Sequence, residues 1–312
     1  MTQTRVLPGI LLMLAFCVLA PLLDTCSKLA TATIPVGQIT AARFLVQGLL
    51  MAPIAVAMGL RLRLSLPRRL WWLMTLRTLF LIASTFCFVA AVTVMPIADA
   101  LAIVFVEPFI LLIMGKLLFA NPVGPRRIIA SVIGFAGALL VIQPTLSNYG
   151  LIALFPLGTA VAFAFYMLTT QAIAAHIHPV LQQMHTGLIG TLICVPVLIM
   201  ANGGTIPQID PVWPMGLSWL WLFGVGFWAA ASHLCMTIAL KFAPASTLAP
   251  MHYLEIITAV ALGYLVFNDF PNALTWAGIA IITASGLYII LRERQSDQNL
   301  ATQSLAEPDV TP

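Results

Sequence analysis

Residues 83–119 read ASTFCFVAAVTVMPIADALAIVFVEPFILLIMGKLLF, and residues 231–267 read ASHLCMTIALKFAPASTLAPMHYLEIITAVALGYLVF. One shift of 148 positions lays the first stretch on the second without a gap. It superimposes Ala83 on Ala231, Ser84 on Ser232, Cys87 on Cys235 and Pro96 on Pro244, then Glu107 on Glu255, Gly115 on Gly263 and Phe119 on Phe267. The same register reaches Ala136 on Ala284. In apolar segments Ala and Leu match by chance, but a Pro, a Glu and a Gly at one fixed spacing do not. Two copies of one membrane module, each with a carboxylate at the same place, is the construction plan of a secondary transporter.

The whole 312-residue chain is of this kind: 61% hydrophobic and 8% charged, with a mean hydropathy of +1.03. A soluble domain, at about 25% charged residues, covers its surface with far more charge. Apolar runs long enough to cross a bilayer core of about 30 Å recur along nearly the full length. The spans fall at 8–30, 36–58, 70–94, 97–119 and 126–143, then at 150–174, 180–200, 217–241, 244–267 and 273–291. Runs this long and unalternating fit helices and not barrel strands. The expectation is an all-α polytopic membrane protein, with ten transmembrane helices as two five-helix repeats over 8–143 and 150–291, and a polar tail over 292–312. Ala30-Thr31-Ala32 resembles a signal-peptide cleavage site, but the apolar run before it is too long, so the first helix is expected to be retained.

Charge sets the orientation. With the N-terminus inside, Arg5, Arg61, Arg63, Arg68, Arg69, Arg126, Arg127, Lys241, Arg292 and Arg294 all fall on the cytoplasmic side, while the external loops carry only Asp210 and Asp269. That asymmetry obeys the positive-inside rule and places both termini in the cytoplasm. Five helices per half is an odd number, so the repeats are inverted relative to each other. The net charge of +4 then reflects orientation and contact with anionic lipid, not nucleic-acid binding. Cys17, Cys26, Cys87, Cys194 and Cys235 all lie in helices and form no C-x-x-C pair, which leaves them as packing residues.

Glu107 and Glu255 lie mid-span, where a carboxylate is costly and usually serves a substrate, ion or proton pathway. Pro108 follows the first and Pro250 precedes the second by about one turn, so each helix is expected to break beside its carboxylate. An inter-helix hydrogen bond in each half is the structural alternative. His252 is three positions before Glu255 and shares its face, which suits a proton relay or a polar substrate contact. No second such element accompanies it, so no metal site is expected. Arg43 and Lys28 flank the first external turn, and Arg77 lies inside the third helix. Arg43 has Asp24 or Asp99 as a candidate acid partner, and its alternatives are an external ion pair or a clamp for an anionic substrate group. Arg77 has the choice of snorkelling or facing substrate. Asp99 suits a helix N-cap. Trp228, Tyr166, Phe105 and Tyr253 lie deep enough to stack on a planar substrate, though packing explains each one as well; His233 reads as a hydrogen-bonded interior residue, with cavity lining as its alternative.

The ten-helix plan, with A-R-F at 42–44, E-P-F-I-L-L-I-M-G-K-L-L-F at 107–119, R-R-I-I-A-S-V-I-G-F-A-G-A-L-L-V-I at 126–142 and W-A-G-I-A-I-I-T-A-S-G-L-Y-I-I at 276–290, resembles the EamA branch of the drug/metabolite transporter superfamily. The resemblance implies a central cavity between helices 3, 4, 8 and 9, alternating access, and substrates among amino acids, nucleotide sugars, S-adenosylmethionine, riboflavin and drugs. A-D-A-L-A-I-V-F-V-E-P-F resembles the broad set of proteobacterial members that includes riboflavin importers more than it resembles drug exporters of the four-helix type. Many members carry Glu where this chain has Asn121; its repeat mate is Asp269. The resemblance thus implies a bacterial inner-membrane carrier, monomeric or homodimeric, of a small polar metabolite. Protons and membrane lipids are its other partners, and it needs no cofactor. An amino-acid or drug exporter, a channel and a membrane-embedded transferase stay open as alternatives. The last has no D-D-x-x-D or H-x-x-x-x-D motif to support it, and no G-x-x-x-x-G-K-[ST] supplies ATP coupling.

Overall fold

Prolines punctuate the helix starts. Pro35, Pro67 and Pro96 each occupy an N-cap with extended backbone (ψ of 148, 143 and 145°), and the next residue enters the helix. Proline has no N–H to lose there, and its fixed φ suits the turn into a helix. The computed structural model describes residues 6–60, 67–119, 129, 132–137, 139–140, 147–285 and 287–288. Within them the helices are α1 (Val6–Ala30), α2 (Val36–Ala57), α3 (Arg68–Val92), α4 (Ile97–Val104), α5 (Glu107–Phe119), α6 (Phe155–Ile173), α7 (Pro179–Ala201), α8 (Ser218–Phe242), α9 (Glu255–Phe267) and α10 (Ala273–Ser285). Residues 132–137 are also helical, and no strand occurs among the described residues. The protein is an all-helical, multi-pass membrane protein. The 292–312 tail, and half of the span placed at 126–143, lie outside the described residues.

Two of the expected spans are not single helices. The fourth is divided into α4 and α5 by residues 105–106. The ninth opens with one helical turn, Ala245–Leu248, tightens into a 3-10 segment, Ala249–Leu254, and becomes α-helical at Glu255. Its far end closes on left-handed Asn268 (φ 58°), which lets the Asp269 N–H reach the Gly263 carbonyl at 3.1 Å.

The packing follows the inversion. An exchange of the two repeats maps α1 on α6, α2 on α7, α3 on α8, and α4–α5 on residues 245–267. α1 packs chiefly on α8, and its image, α6 on α3, is another main pairing. α2 on α7 maps onto itself, which puts the pseudo-two-fold axis through that crossing. There a Cβ at Gly187 would land on the backbone of Gly48, and one at Gly190 would land on the Phe44 ring. The Gln47 amide donates to Gln183 Oε1 at 2.8 Å beside the contact. Small residues with interhelical amide bonds are how helices hold together in lipid, where apolar burial alone favours neither partner. The axis also runs between Phe105 and Tyr253, repeat mates whose rings meet edge-on at 5.4 Å.

Candidate functional site

Both helix breaks deliver a carboxylate to the same place. α4 ends with the Phe105 N–H on Leu101 O at 3.0 Å and the tighter i→i+3 contact of Val106 N–H on Ile103 O at 3.2 Å, and the chain restarts as a helix at Glu107. Pro108 follows at a position where a missing N–H costs little. In the other repeat, Pro250 lies at the start of the 3-10 segment and the helix restarts at Glu255. Each glutamate therefore stands in the first turn of a half-helix, whose N-terminal dipole favours negative charge and offsets part of the burial cost.

These carboxyls line a central cavity of about 80 Å³ together with Asp24, Arg43, His233 and His252, walled by the rings of Phe16, Phe88, Phe105 and Phe163. His252 Nδ1 lies 2.9 Å from Glu107 Oε2. The sequence placed His252 on the face of Glu255, and both do line the cavity, but its bonded partner is the glutamate of the other repeat. His252 Nε2 and Glu107 Oε1 are buried and have no hydrogen-bond partner among the described residues. Phe16 stacks on the His252 ring at 5.3 Å and meets His233 edge-on at 5.7 Å, while Phe163 lies 5.8 Å from the former and 5.9 Å from the latter.

Arg43 makes no ion pair with the acids expected of it. Its guanidinium donates to the Thr85 hydroxyl and to His233 Nε2, the latter at 2.6 Å, and its Nε has no partner among the described residues. Thr85 and His233 are themselves related by the 148-residue shift, so one arginine from α2 grips equivalent positions of both repeats. Asp24 remains nearby as part of the cavity wall. Asp99 is not the cap of α4, a position held by Pro96; it accepts from the Thr275 hydroxyl at 3.2 Å.

The other proposed contacts sit outside the cavity lining. Arg77 is fully buried and donates to Thr170 (2.7 Å), Thr186 and Tyr166 (2.9 Å), with its guanidinium 4.6 Å from the Tyr166 ring centre. Burial in a three-helix junction replaces the snorkelling alternative. Lys28 pairs with Asp269 at 2.6 Å and rests over the Phe267 ring. That ion pair and the Asp99–Thr275 bond close the end of the bundle where α1 and α9 finish and α4 and α10 begin. Tyr253 packs on Phe105, and Trp228 packs against Phe227. Among the described residues, no group of three His, Cys, Asp or Glu is placed to hold a metal ion, and the five cysteines are free.

Sequence reasoning missed Asp24, Thr85, Phe16 and Phe163 as cavity residues. Asp24 did carry a signal: an acid inside the apolar run of the first helix has the same cost as the glutamates. Thr85 carried one as the repeat mate of His233. Nothing local marks the two phenylalanines.

Comparison with known proteins agrees with this architecture. The model of the EamA-like transporter family matches residues 7–143 and, a second time, residues 150–292. A riboflavin transporter of Vibrio cholerae is 28% identical over 66% of this chain and 67% of its own length. One from Rhizobium johnstonii is 27% identical over 68% of each. An S-adenosylmethionine uptake transporter of Rickettsia prowazekii is 22% identical over 81% of this chain and 82% of its own. A solved crystal structure superposes with a TM-score of 0.69 over 91% of this chain and 98% of that one, at 18% identity, and shows the fold alone.

Proposed function

The chain belongs to the EamA-like transporter family, and from that premise we propose that it carries a planar, hydrogen-bonding metabolite of the riboflavin class inward across the bacterial inner membrane, with protons. Its termini face the cytoplasm, so the Lys28–Asp269 end of the bundle is external. The observation that carries the substrate class is the packing of the Phe16 and Phe163 rings against His252, with His252 Nε2 and Glu107 Oε1 buried and unpartnered in the same cavity. A flat heteroaromatic ring would slot between the phenyl faces and satisfy those two atoms along its polar edge. The named activity of the Vibrio and Rhizobium relatives supports the same class.

At about 80 Å³ the cavity is well below the roughly 300–1,000 Å³ of a site for a drug-sized ligand. Transport then requires the two half-helices and α1, α3, α6 and α8 to move apart, on one side and then on the other. A shared proton on the His252–Glu107 pair, or one on Glu255, would weight the two states differently, and that differential is all coupling needs.

A second reading rests on charge. Asp24, Glu107 and Glu255 share the cavity with one guanidinium, Arg43, which suits a cationic metabolite of the S-adenosylmethionine class. Purified protein in liposomes, given labelled riboflavin or labelled S-adenosylmethionine with and without an inward proton gradient, separates the two. Riboflavin accumulation that collapses with the gradient supports the first reading. Preferential uptake of the sulfonium compound supports the second, and uptake of neither refutes both.

A further inference from the structure

Behind the cavity a chain of hydrogen bonds runs from Arg43 through His233 and Tyr166 to Arg77. The links are 2.6 Å from Arg43 Nη2 to His233 Nε2, 3.1 Å from His233 Nδ1 to the Tyr166 hydroxyl, and 2.9 Å from Arg77 Nη2 to the same hydroxyl. The donor inventory fixes the direction of every link. A guanidinium only donates, so His233 Nε2 must accept, and a neutral imidazole then carries its hydrogen on Nδ1. Nδ1–H therefore donates to the Tyr166 oxygen, which also accepts from Arg77. A second proton on His233 would set N–H against N–H at the Arg43 contact. His233 is consequently neutral for as long as Arg43 holds its place.

We propose that Tyr166 is a positioning residue of the transport cavity: its oxygen, accepting from both His233 and Arg77, locks His233 as the Nδ1–H tautomer and so holds the Arg43 guanidinium against the substrate space. The two cavity histidines then divide the work, with His233 a fixed acceptor and His252 the ring free to exchange a proton with Glu107. The groups facing His233 accord with this. Arg43 from α2 and Arg77 from α3, the latter through Tyr166 of α6, present cations to it. Asp24 from α1, Glu107 from α5, and His252 and Glu255 from the ninth span lie across the cavity. The same hydroxyl joins α3, α6 and α8, so loosening it should disturb Arg43 without touching the His252–Glu107 pair.

The inference rests on the cavity being the transport site, but its decisive test needs no substrate. In substrate-free protein labelled with ¹⁵N-histidine, His233 should give a neutral Nδ1-protonated ring throughout about pH 5–8, and Tyr166→Phe should introduce the Nε2–H tautomer. In riboflavin uptake, Tyr166→Phe should raise KM about tenfold, the scale of one buried hydrogen bond, with maximal rate and pH profile little changed. His233→Gln should lower uptake but keep the wild-type pH midpoint. A titrating or Nε2-protonated His233 in the wild type would overturn the proposal, as would a shifted midpoint in His233→Gln. If Tyr166→Phe fails to fold, the wild-type spectrum still decides. Absence of riboflavin uptake would sink the substrate assignment and leave the tautomer result standing.

Discussion

Glu107 and Arg77 are both buried ionisable side chains, yet removal of each should read out differently. Glu107 holds His252 at 2.9 Å and faces the cavity; Gln keeps its volume and one acceptor but not its exchangeable proton. Glu107→Gln should abolish gradient-driven accumulation in liposomes while leaving part of the gradient-free exchange. Glu255→Gln should be milder, because His252 bonds to Glu107. Equal wild-type accumulation in both variants would make the carboxylates structural. Arg77 instead meets only neutral partners among the described residues, and Thr170 and Thr186 already donate to the carbonyls of Tyr166 and Gln182 within their own helices. Buried ion pairs replaced by apolar side chains of similar volume are often neutral or stabilising, and removal of Arg77 leaves no opposite charge stranded among these partners. Arg77→Met should therefore hold thermal stability in detergent within about 1–2 kcal/mol, whereas Arg77→Ala, which leaves a void, should cost about 2–5 kcal/mol. A collapse of the Met variant would show that the charge itself is needed for folding.

The elements were legible because apolar run length is a direct reading of bilayer thickness, and the breaks because proline cannot donate. The partners were not. His252 and Glu107 are 145 positions apart, and only the pseudo-two-fold axis, which seats Phe105 against Tyr253, brings them together. The glycine crossing was equally silent, since a glycine in an apolar helix does not announce which backbone it meets. Its consequence is testable: Gly187→Val adds a side chain where a single Cβ already strikes Gly48. Overpacking typically costs about 1–3 kcal/mol, and more where backbone blocks relief. The variant should lose its monodisperse peak in fluorescence-detected size exclusion, while Gly59→Ala, at a position where an added Cβ meets nothing within 4 Å, should keep its peak despite its strained positive φ.

For the molecule as a whole, the Lys28–Asp269 pair ties the first helix to the end of the ninth span, above Ser27 and Asp24 of the cavity wall. It is partly exposed, with side chains 17% and 31% accessible, so its worth is about 1 kcal/mol. That is small for folding and about fivefold in a two-state equilibrium. In intact cells, Asp269→Asn should raise labelling of a cysteine at Ser27 by an impermeant reagent several-fold. Unchanged labelling would mean the pair closes nothing, and labelling only in inverted vesicles would reverse the proposed orientation.

The unequal share of acids and bases around the centre has an electrical consequence. Asp24, Glu107 and Glu255 face Arg43, with Arg77 one tyrosine further back, so with His233 and His252 neutral the interior balances when the acids together hold one proton. Under the proposed proton coupling, an uncharged cargo would bring one net positive charge inward per cycle, that of the proton carried with it. Moving one charge across the bilayer is worth about 2.3 kcal/mol per 100 mV. A potassium diffusion potential set up with valinomycin, inside negative and with no pH difference, should by itself drive uptake into liposomes. If voltage leaves the rate untouched, the centre crosses electrically silent and a second charge must travel with the cargo.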